Sequence, residues 1–271
     1  MKKVLYSCIT GGYDAVPEYK FVAPGWDYVL FTDNKKLIRA GRVAHWTVRP
    51  LMFSAETNVK NARWHKVNAH KLFPEYDYSL WVDSNIIINN PKPFKVMDDL
   101  IKQNVLVAVP NHMERHCIYA EAQIIKEYHI EWPDIVDDEM RYLRKDNYPE
   151  NNGLSETNIL LRKHNAMRTA LDLWWKMIAE FSKRDQLSFN YAMWKYGIEI
   201  RPIYTGTDGL GYHRECPDFT FVKSKTHNQN KVNQPHNHSA YSFGVRIIAM
   251  FIPFSKYRRQ LKDKLLRGLH G

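Results

Sequence analysis

The chain predicts an α/β fold built on a mainly parallel sheet. Two observations carry this. Short apolar runs alternate with longer polar, helix-like segments along most of the chain, the pattern of strands joined by helical crossovers. Two of the apolar runs, 26–34 and 78–88, also lead into an acid, Asp33 and Asp83. Open α/β sheets bind ligands outside the carboxyl ends of their strands, so side chains that follow a strand are candidates for a site.

In chain order, Lys3 to Ile9 reads as the first strand, and Thr10-Gly11-Gly12-Tyr13-Asp14 as the loop after it. Two glycines there allow close approach of backbone to a ligand. No Gly-Lys-Ser/Thr follows, and a third glycine is missing, so neither a phosphate-binding P-loop nor a dinucleotide fingerprint is present. Residues 26–34 give a second strand and 43–48 a third. A helix follows from Ser54, its expected N-cap, to about Phe73. Lys60, Arg63 and Lys66 lie on neighbouring turns of it. They form either a solvated basic face or a cluster aimed at a diphosphate, with Arg63 able to fork onto phosphate oxygens.

The run Tyr78 to Ile88 reads as a buried strand interrupted by Asp83-Ser84-Asn85. The triplet is either an Asx-turn bonded to its own backbone or part of a hard-cation site completed by phosphate oxygens. A helix over 91–103 and a strand over 105–109 follow. His112 and His116 stand four apart, but Pro110-Asn111 argues against a helix there and so against a zinc pair. Helices are expected over 118–128 and along the acidic stretch 132–147, read as a solvated face. Gly153 to Arg162 is a loop running into a strand. Residues 164–182 form an amphipathic helix with Met167, Leu171, Trp174, Trp175 and Ile178 inward. Asp185 and Gln186 open the next helix, where Asp185 is either a cap or a residue at the mouth of a cleft. A strand over 198–203 and a loop-rich stretch with His213 complete the body.

Composition narrows the classes. The 271 residues are 44% hydrophobic and 25% charged, ordinary for a globular chain. Cys8, Cys117 and Cys216 have no paired spacing, which points to a reducing compartment rather than a disulfide framework. No run reaches the roughly 18 apolar residues of a membrane span. The basic start gives way to Thr10-Gly11-Gly12 too soon for a signal-peptide core. Net charge is +10, and from Lys256 onward six basic residues stand against one acid, so six minus one, half of the excess, sits in the tail. With no nucleic-acid signature elsewhere, a nucleic-acid-binding protein is the weaker alternative. In the tail, Phe251, Phe254, Tyr257, Leu261, Leu265 and Leu269 recur at helical steps among Lys256, Arg258, Arg259, Lys262, Lys264 and Arg267. This reads as a basic amphipathic helix for an anionic membrane interface or as a helix packed on the body. The division expected is 1–238 for the catalytic domain and 239–271 for the tail.

Four segments together, Tyr6 to Asp14, Phe31-Thr32-Asp33, Trp81 to Asn85 and Arg184 to Phe189, resemble GT-A type glycosyltransferases. More narrowly they resemble the TOD/MUCI glycosyltransferase-like family, with a branch in bacterial polysaccharide gene clusters for lipopolysaccharide or capsule. The resemblance spans roughly residues 3–215. It implies a Rossmann-type GT-A sheet and transfer of a sugar from a nucleoside-diphosphate donor to a cell-surface polysaccharide or lipid-linked oligosaccharide, at the inner face of the cytoplasmic membrane. By this resemblance Thr10, Gly12, Tyr13, Asp14 and Asp33 hold the nucleoside, and Lys60, Arg63 and Lys66 face the diphosphate. Asp83 and Asn85 stand where such enzymes carry Asp-x-Asp and bind Mn²⁺ or Mg²⁺. The second acid is Asn85 here, which contributes a carbonyl and one less charge. His213 is the candidate distal metal ligand. Asp185-Gln186 resemble a pair beside the reacting sugar in retaining transferases, although the residues also suit an inverting base. A nucleotide-sugar hydrolase or phosphotransferase on a similar sheet is the other alternative.

Overall fold

The computed structural model describes residues 1–55 and 57–223. In chain order it contains β1 (Lys3–Ile9), β2 (Asp27–Thr32), α1 (Lys35–Ala40), β3 (Arg42–Val43), β4 (Trp46–Pro50), α2 (Asn58–Val67), α3 (Ala69–Leu72), β5 (Tyr78–Val82), β6 (Ile86–Ile88) and α4 (Lys92–Lys102). Then come β7 (Val107–Pro110), α5 (Ile118–Glu127), α6 (Pro133–Lys145), β8 (Ile159–Lys163), α7 (Arg168–Glu180), α8 (Gln186–Lys195), β9 (Ile200–Ile203) and β10 (Phe219–Phe221). The expected boundary at 238 and the tail 239–271 lie outside the described residues.

Eight strands form one sheet in the order β3-β4-β2-β1-β5-β8-β7-β9. Six of them run in one direction. β8 runs against both of its neighbours, β5 and β7, and the short β3 runs against β4. The inner parallel strands β1, β2, β5 and β7 are buried on both faces, as helix-covered strands must be. Along β1, Val4, Tyr6 and Cys8 pack into one apolar cluster, and Leu5 and Ile9 into the cluster on the other face. β5 repeats the alternation, with Leu80 and Val82 on one side and Trp81 on the other, the two-residue period of a pleated strand.

This topology makes a crevice. From β1 the chain adds β2 and β4 on one side, then returns to place β5 on the other. Such a reversal leaves an opening beyond the carboxyl ends of the strands. The ends of β1, β2 and β5 deliver Thr10, Asp33 and Asp83 to that edge. Because β8 runs the opposite way, its leading residues 156–158 arrive at the same edge.

Several local expectations are corrected. The helix starts later than Ser54: Thr57 is the N-cap, its hydroxyl accepting from Lys60 N at 3.2 Å. It breaks at Asn68 into α2 and α3. The stretch 43–48 is two strands, β3 and β4, turned at Ala44 with φ +48°. The run 78–88 is split between two sheets, since β6 leaves the main sheet and pairs antiparallel with β10. Helix α1 was not anticipated. Asn34 caps it through bonds from Lys36 N and Leu37 N, and Gly41 ends it in the left-handed conformation.

Candidate active site

The Asp83 turn follows directly from β5. A bond from Ile86 N to Asp83 O closes it at 3.0 Å, and Asp83 N donates to Asn158 O at 2.8 Å. The carboxylate is not spent on its own backbone. Oδ1 accepts from Trp81 Nε1 at 2.6 Å and lies 3.5 Å from Lys66 Nζ, and the side chain stays 29% exposed. Ser84 donates to Asp14, tying the loop after β1 to the turn after β5. Asn85 is half-buried, and its backbone carbonyl accepts from Val222 N.

The first loop is equally constrained. Gly11 N donates to Asp33 Oδ2 at 2.7 Å, Thr10 Oγ1 donates to Asn58 O at 2.9 Å, and Tyr13 N reaches back to Thr10 O. Gly11 has φ +63°, and a Cβ there would stand 2.1 Å from Asn58 Nδ2, so glycine is the residue that fits here without moving the Asn58 side chain. Thr10 is buried, Tyr13 and Asp14 are half-buried, and Gly12 and Asp33 are exposed.

Asp185 sits at the N-cap of α8, yet its side chain makes no capping bond. It turns instead to α2. Oδ2 lies 2.6 Å from Lys66 Nζ and accepts from Thr157 Oγ1 at 2.7 Å, and Oδ1 lies 3.2 Å from Arg63 Nε. Burial pushes this carboxyl up, but the Arg63 and Lys66 charges outweigh it and hold Asp185 well below the usual carboxylate range. Burial pushes the Lys66 ammonium down, against the pull of Asp185 and Asp83. Thus Lys66 bridges two acids and also donates to Thr157 Oγ1 at 3.0 Å. The expected trio of cations on α2 is therefore not one exposed face. Lys66 is buried between the acids and Lys60 turns to Ala179 O of α7, while Arg63 keeps a fifth of its side chain exposed. Gln186 is half-buried, its Oε1 accepting from Arg184 Nη2 at 3.1 Å.

His213 is fully buried. Its Nε2 lies 3.3 Å from Glu156 Oε2 and 3.1 Å from Asn158 Nδ2, while Nδ1 has no partner. It is thus linked to Asp83 through Asn158 rather than placed in the turn. Among the described residues no three His, Cys, Asp or Glu side chains gather as a metal site. Asp83 and Asn85 do offer a carboxylate and an amide oxygen in one half-exposed turn. That donor set suits a hard cation that takes its remaining ligands from phosphate and water.

The segment Glu156-Thr157-Asn158 is the part that motif reading missed. Thr157 touches both Lys66 and Asp185, Asn158 holds the Asp83 amide, and Glu156 holds His213 and Arg214. Its signal was a polar run immediately before the apolar run Ile159-Leu160-Leu161.

The chain is similar to several known proteins. The TOD1/MUCI70 glycosyltransferase-like domain model matches residues 27–205. A probable hexosyltransferase, MUCI70 of Arabidopsis thaliana, is 23% identical over 141 residues, covering 48% of this chain. The chain spans only 24% of that relative's length. Among solved structures, mouse xyloside xylosyltransferase 1 aligns with TM-score 0.44 at 10% identity, over 74% of this chain and 84% of that one. The WbbM bifunctional glycosyltransferase aligns with TM-score 0.45 at 12% identity, over 74% of this chain and 38% of that one. A CMP:2-keto-3-deoxy-manno-octonic acid synthetase complexed with CTP aligns with TM-score 0.42 at 12% identity, over 75% and 89%.

Proposed function

The chain belongs to the TOD1/MUCI70 glycosyltransferase-like family, and from that premise we propose that it moves a hexose from a nucleoside-diphosphate donor to a glycan or lipid-linked acceptor. The observation that carries this reading is the charge-balanced cluster of Arg63, Lys66, Asp83 and Asp185 at the carboxyl ends of the strands. In the transfer the bond between the anomeric carbon and the diphosphate oxygen breaks, and a bond to an acceptor hydroxyl forms. Negative charge grows on the leaving diphosphate and positive charge on the sugar ring. Fixed cations beside that oxygen lower the barrier.

Each residue has a task in this proposal. Thr10, Gly12, Tyr13, Asp14 and Asp33 line the nucleoside end. Arg63 meets the diphosphate directly, and Lys60 and Lys66 add positive charge from α2. Asp83 and Asn85 would hold a divalent cation, Mn²⁺ or Mg²⁺, whose contribution would be positive charge beside the diphosphate. Asp185 and Gln186 stand by the reacting sugar. Both Asp185 oxygens are occupied, so it acts by its field and by aiming Arg63 and Lys66. Retention of configuration is the stereochemistry proposed.

The proposed acceptor is a cell-surface polysaccharide or its lipid-linked precursor, reached by the basic tail from the cytoplasmic face of a membrane. The sequence composition of residues 239–271 supports this placement. The test is binding and turnover against a panel of nucleotide sugars, with products analysed with and without added glycan acceptor. Transfer that appears only with acceptor supports the proposal. Release of free sugar at the same rate in both arms would replace it with hydrolysis.

A further inference from the structure

Arg162 lies in the middle of the protein, on β8, and has no exposed surface. No carboxylate lies within ion-pair distance of it among the described residues. Burying an unpaired cation costs several kcal/mol by general estimates, so its surroundings must supply negative potential. They do so at the C-terminal end of α2. Arg162 Nη1 donates to Lys66 O at 2.5 Å and to Val67 O at 3.3 Å, and Nη2 donates to the Tyr6 hydroxyl at 2.5 Å. Tyr6 in turn donates to Lys66 O at 2.8 Å and His65 O at 3.1 Å. The last carbonyls of a helix lack intrahelical partners and carry the negative end of its dipole. A guanidinium fork is suited to two of them at once.

The same stretch of chain grips Lys66 at its other end. Five residues before Arg162, Thr157 Oγ1 accepts from Lys66 Nζ and donates to Asp185, and Asn158 O holds the Asp83 amide. Residues 157–162 therefore fix the carbonyl of Lys66, its ammonium, and both acids that the ammonium bridges. Helix α2 can neither slide nor rotate against β8 without moving Lys66 away from Asp83 and Asp185.

We propose that Arg162 is a positioning residue for the donor site. It sets the register of α2 so that Lys66 neutralises Asp83 and Asp185 where the diphosphate binds. This rests on the donor-binding reading given above. A hydrophobic residue would fill the same core position without capping the helix, so the carbonyls of Lys66 and Val67 are what the guanidinium adds there.

The test is a double-mutant cycle on nucleoside-diphosphate affinity. UDP, GDP, ADP and CDP are titrated into wild type, Arg162→Met, Lys66→Met and the double variant by calorimetry, with thermal midpoints recorded. A residue acting through Lys66 loses its effect once Lys66 is gone. The expected result is about tenfold weaker binding for Arg162→Met in the wild-type background and less than about twofold in the Lys66→Met background. The thermal midpoint should fall in both. Equal affinity losses in both backgrounds, or none, overturn the proposal and leave Arg162 as core structure only. Where Arg162→Met yields no folded protein by circular dichroism, the same cycle with Tyr6→Phe decides, on the same pair of outcomes. Wild type that binds none of the four nucleotides removes the donor reading itself, and the positioning role with it.

Discussion

Lys66 Nζ lies 2.6 Å from Asp185 Oδ2, and both side chains are almost wholly buried. The contact joins α2 to the start of α8. A buried pair that loses one partner leaves an uncompensated charge, which costs about 3–5 kcal/mol. Asp185→Asn should therefore lower stability on that scale and abolish turnover, and Asp185→Asn with Lys66→Met should cost less than the two single changes summed. Urea unfolding of the four proteins measures this. Additive losses would mean that the two residues act apart. Nucleoside-diphosphate affinity should survive Asp185→Asn better than the rate does, the signature of a group acting in the transition state.

Glu156 should make the protein acid-sensitive. Burial raises its carboxyl, but His213 and Arg214 win and lower it from 4.5 to about 2. A folded-state value below the unfolded one stabilises the protein above about pH 4.5. That stability is lost as pH falls from 4.5 towards 2, and amounts to on the order of 3 kcal/mol. Wild type should thus exceed Glu156→Gln in stability at pH 7, and the gap should close between pH 4.5 and 2. A gap that stays constant to pH 3 would show that the His213 and Arg214 contacts do not hold the charged form.

Much of this was legible beforehand, and the failures have definite causes. β1, β2 and β5 could be read because fully buried strands leave apolar runs, and α4 because Pro91 bounds it. The capping residues of α1 were present as Asn34 and Gly41, but six residues carry too little periodicity to announce a helix. What escaped was direction and partnership. Residue pattern does not say that β8 runs against its neighbours, so Thr157 and Asn158 could not be placed beside Asp83. Nor does it say that Asp185 pairs with Lys66 instead of capping its own helix. Arg162 closes the apolar run Ile159-Leu160-Leu161, and nothing in that pattern says that its guanidinium is fully buried.

The two glycines after β1 should behave differently. At Gly11, alanine meets both a positive φ of +63° and Asn58 Nδ2 at 2.1 Å. The cost should be about 2–3 kcal/mol, with loss of the Asp33 bond and of nucleotide binding. At Gly12 φ is +65° but nothing lies within 4 Å, so alanine should cost only about 1 kcal/mol. Urea midpoints of Gly11→Ala and Gly12→Ala give the comparison. Equal midpoints would mean that Asn58 yields freely.

The basic, aromatic composition of residues 239–271 should attach the chain to anionic membranes. Each basic residue near an anionic surface contributes about 1 kcal/mol. The full chain should therefore sediment with phosphatidylserine-containing vesicles at low salt and be released at high salt, while a chain ending at Ser239 should stay in solution. Equal pelleting of the two, or none, would leave 239–271 without a membrane role.

At Asp83 charge and geometry can be separated. With Asn85 in the third position, Asp83 is the one acid of its turn, and Lys66 already stands 3.5 Å from it. A cation arriving with the donor must share that carboxylate with an ammonium, so it should bind weakly alone and much more tightly with diphosphate present. Asp83→Asn keeps an oxygen to accept the Trp81 N–H but removes the charge. It should cut turnover by about 10²–10³-fold and nearly abolish Mn²⁺-dependent nucleoside-diphosphate binding, with little change in the urea midpoint. Asn85→Asp restores the second acid and should raise Mn²⁺ affinity several-fold. Calorimetric titration of Mn²⁺ with and without UDP, across these variants, reads both effects. Binding of the nucleotide that is indifferent to Mn²⁺ in wild type and in Asn85→Asp would assign the diphosphate to Arg63 and its neighbouring cations alone.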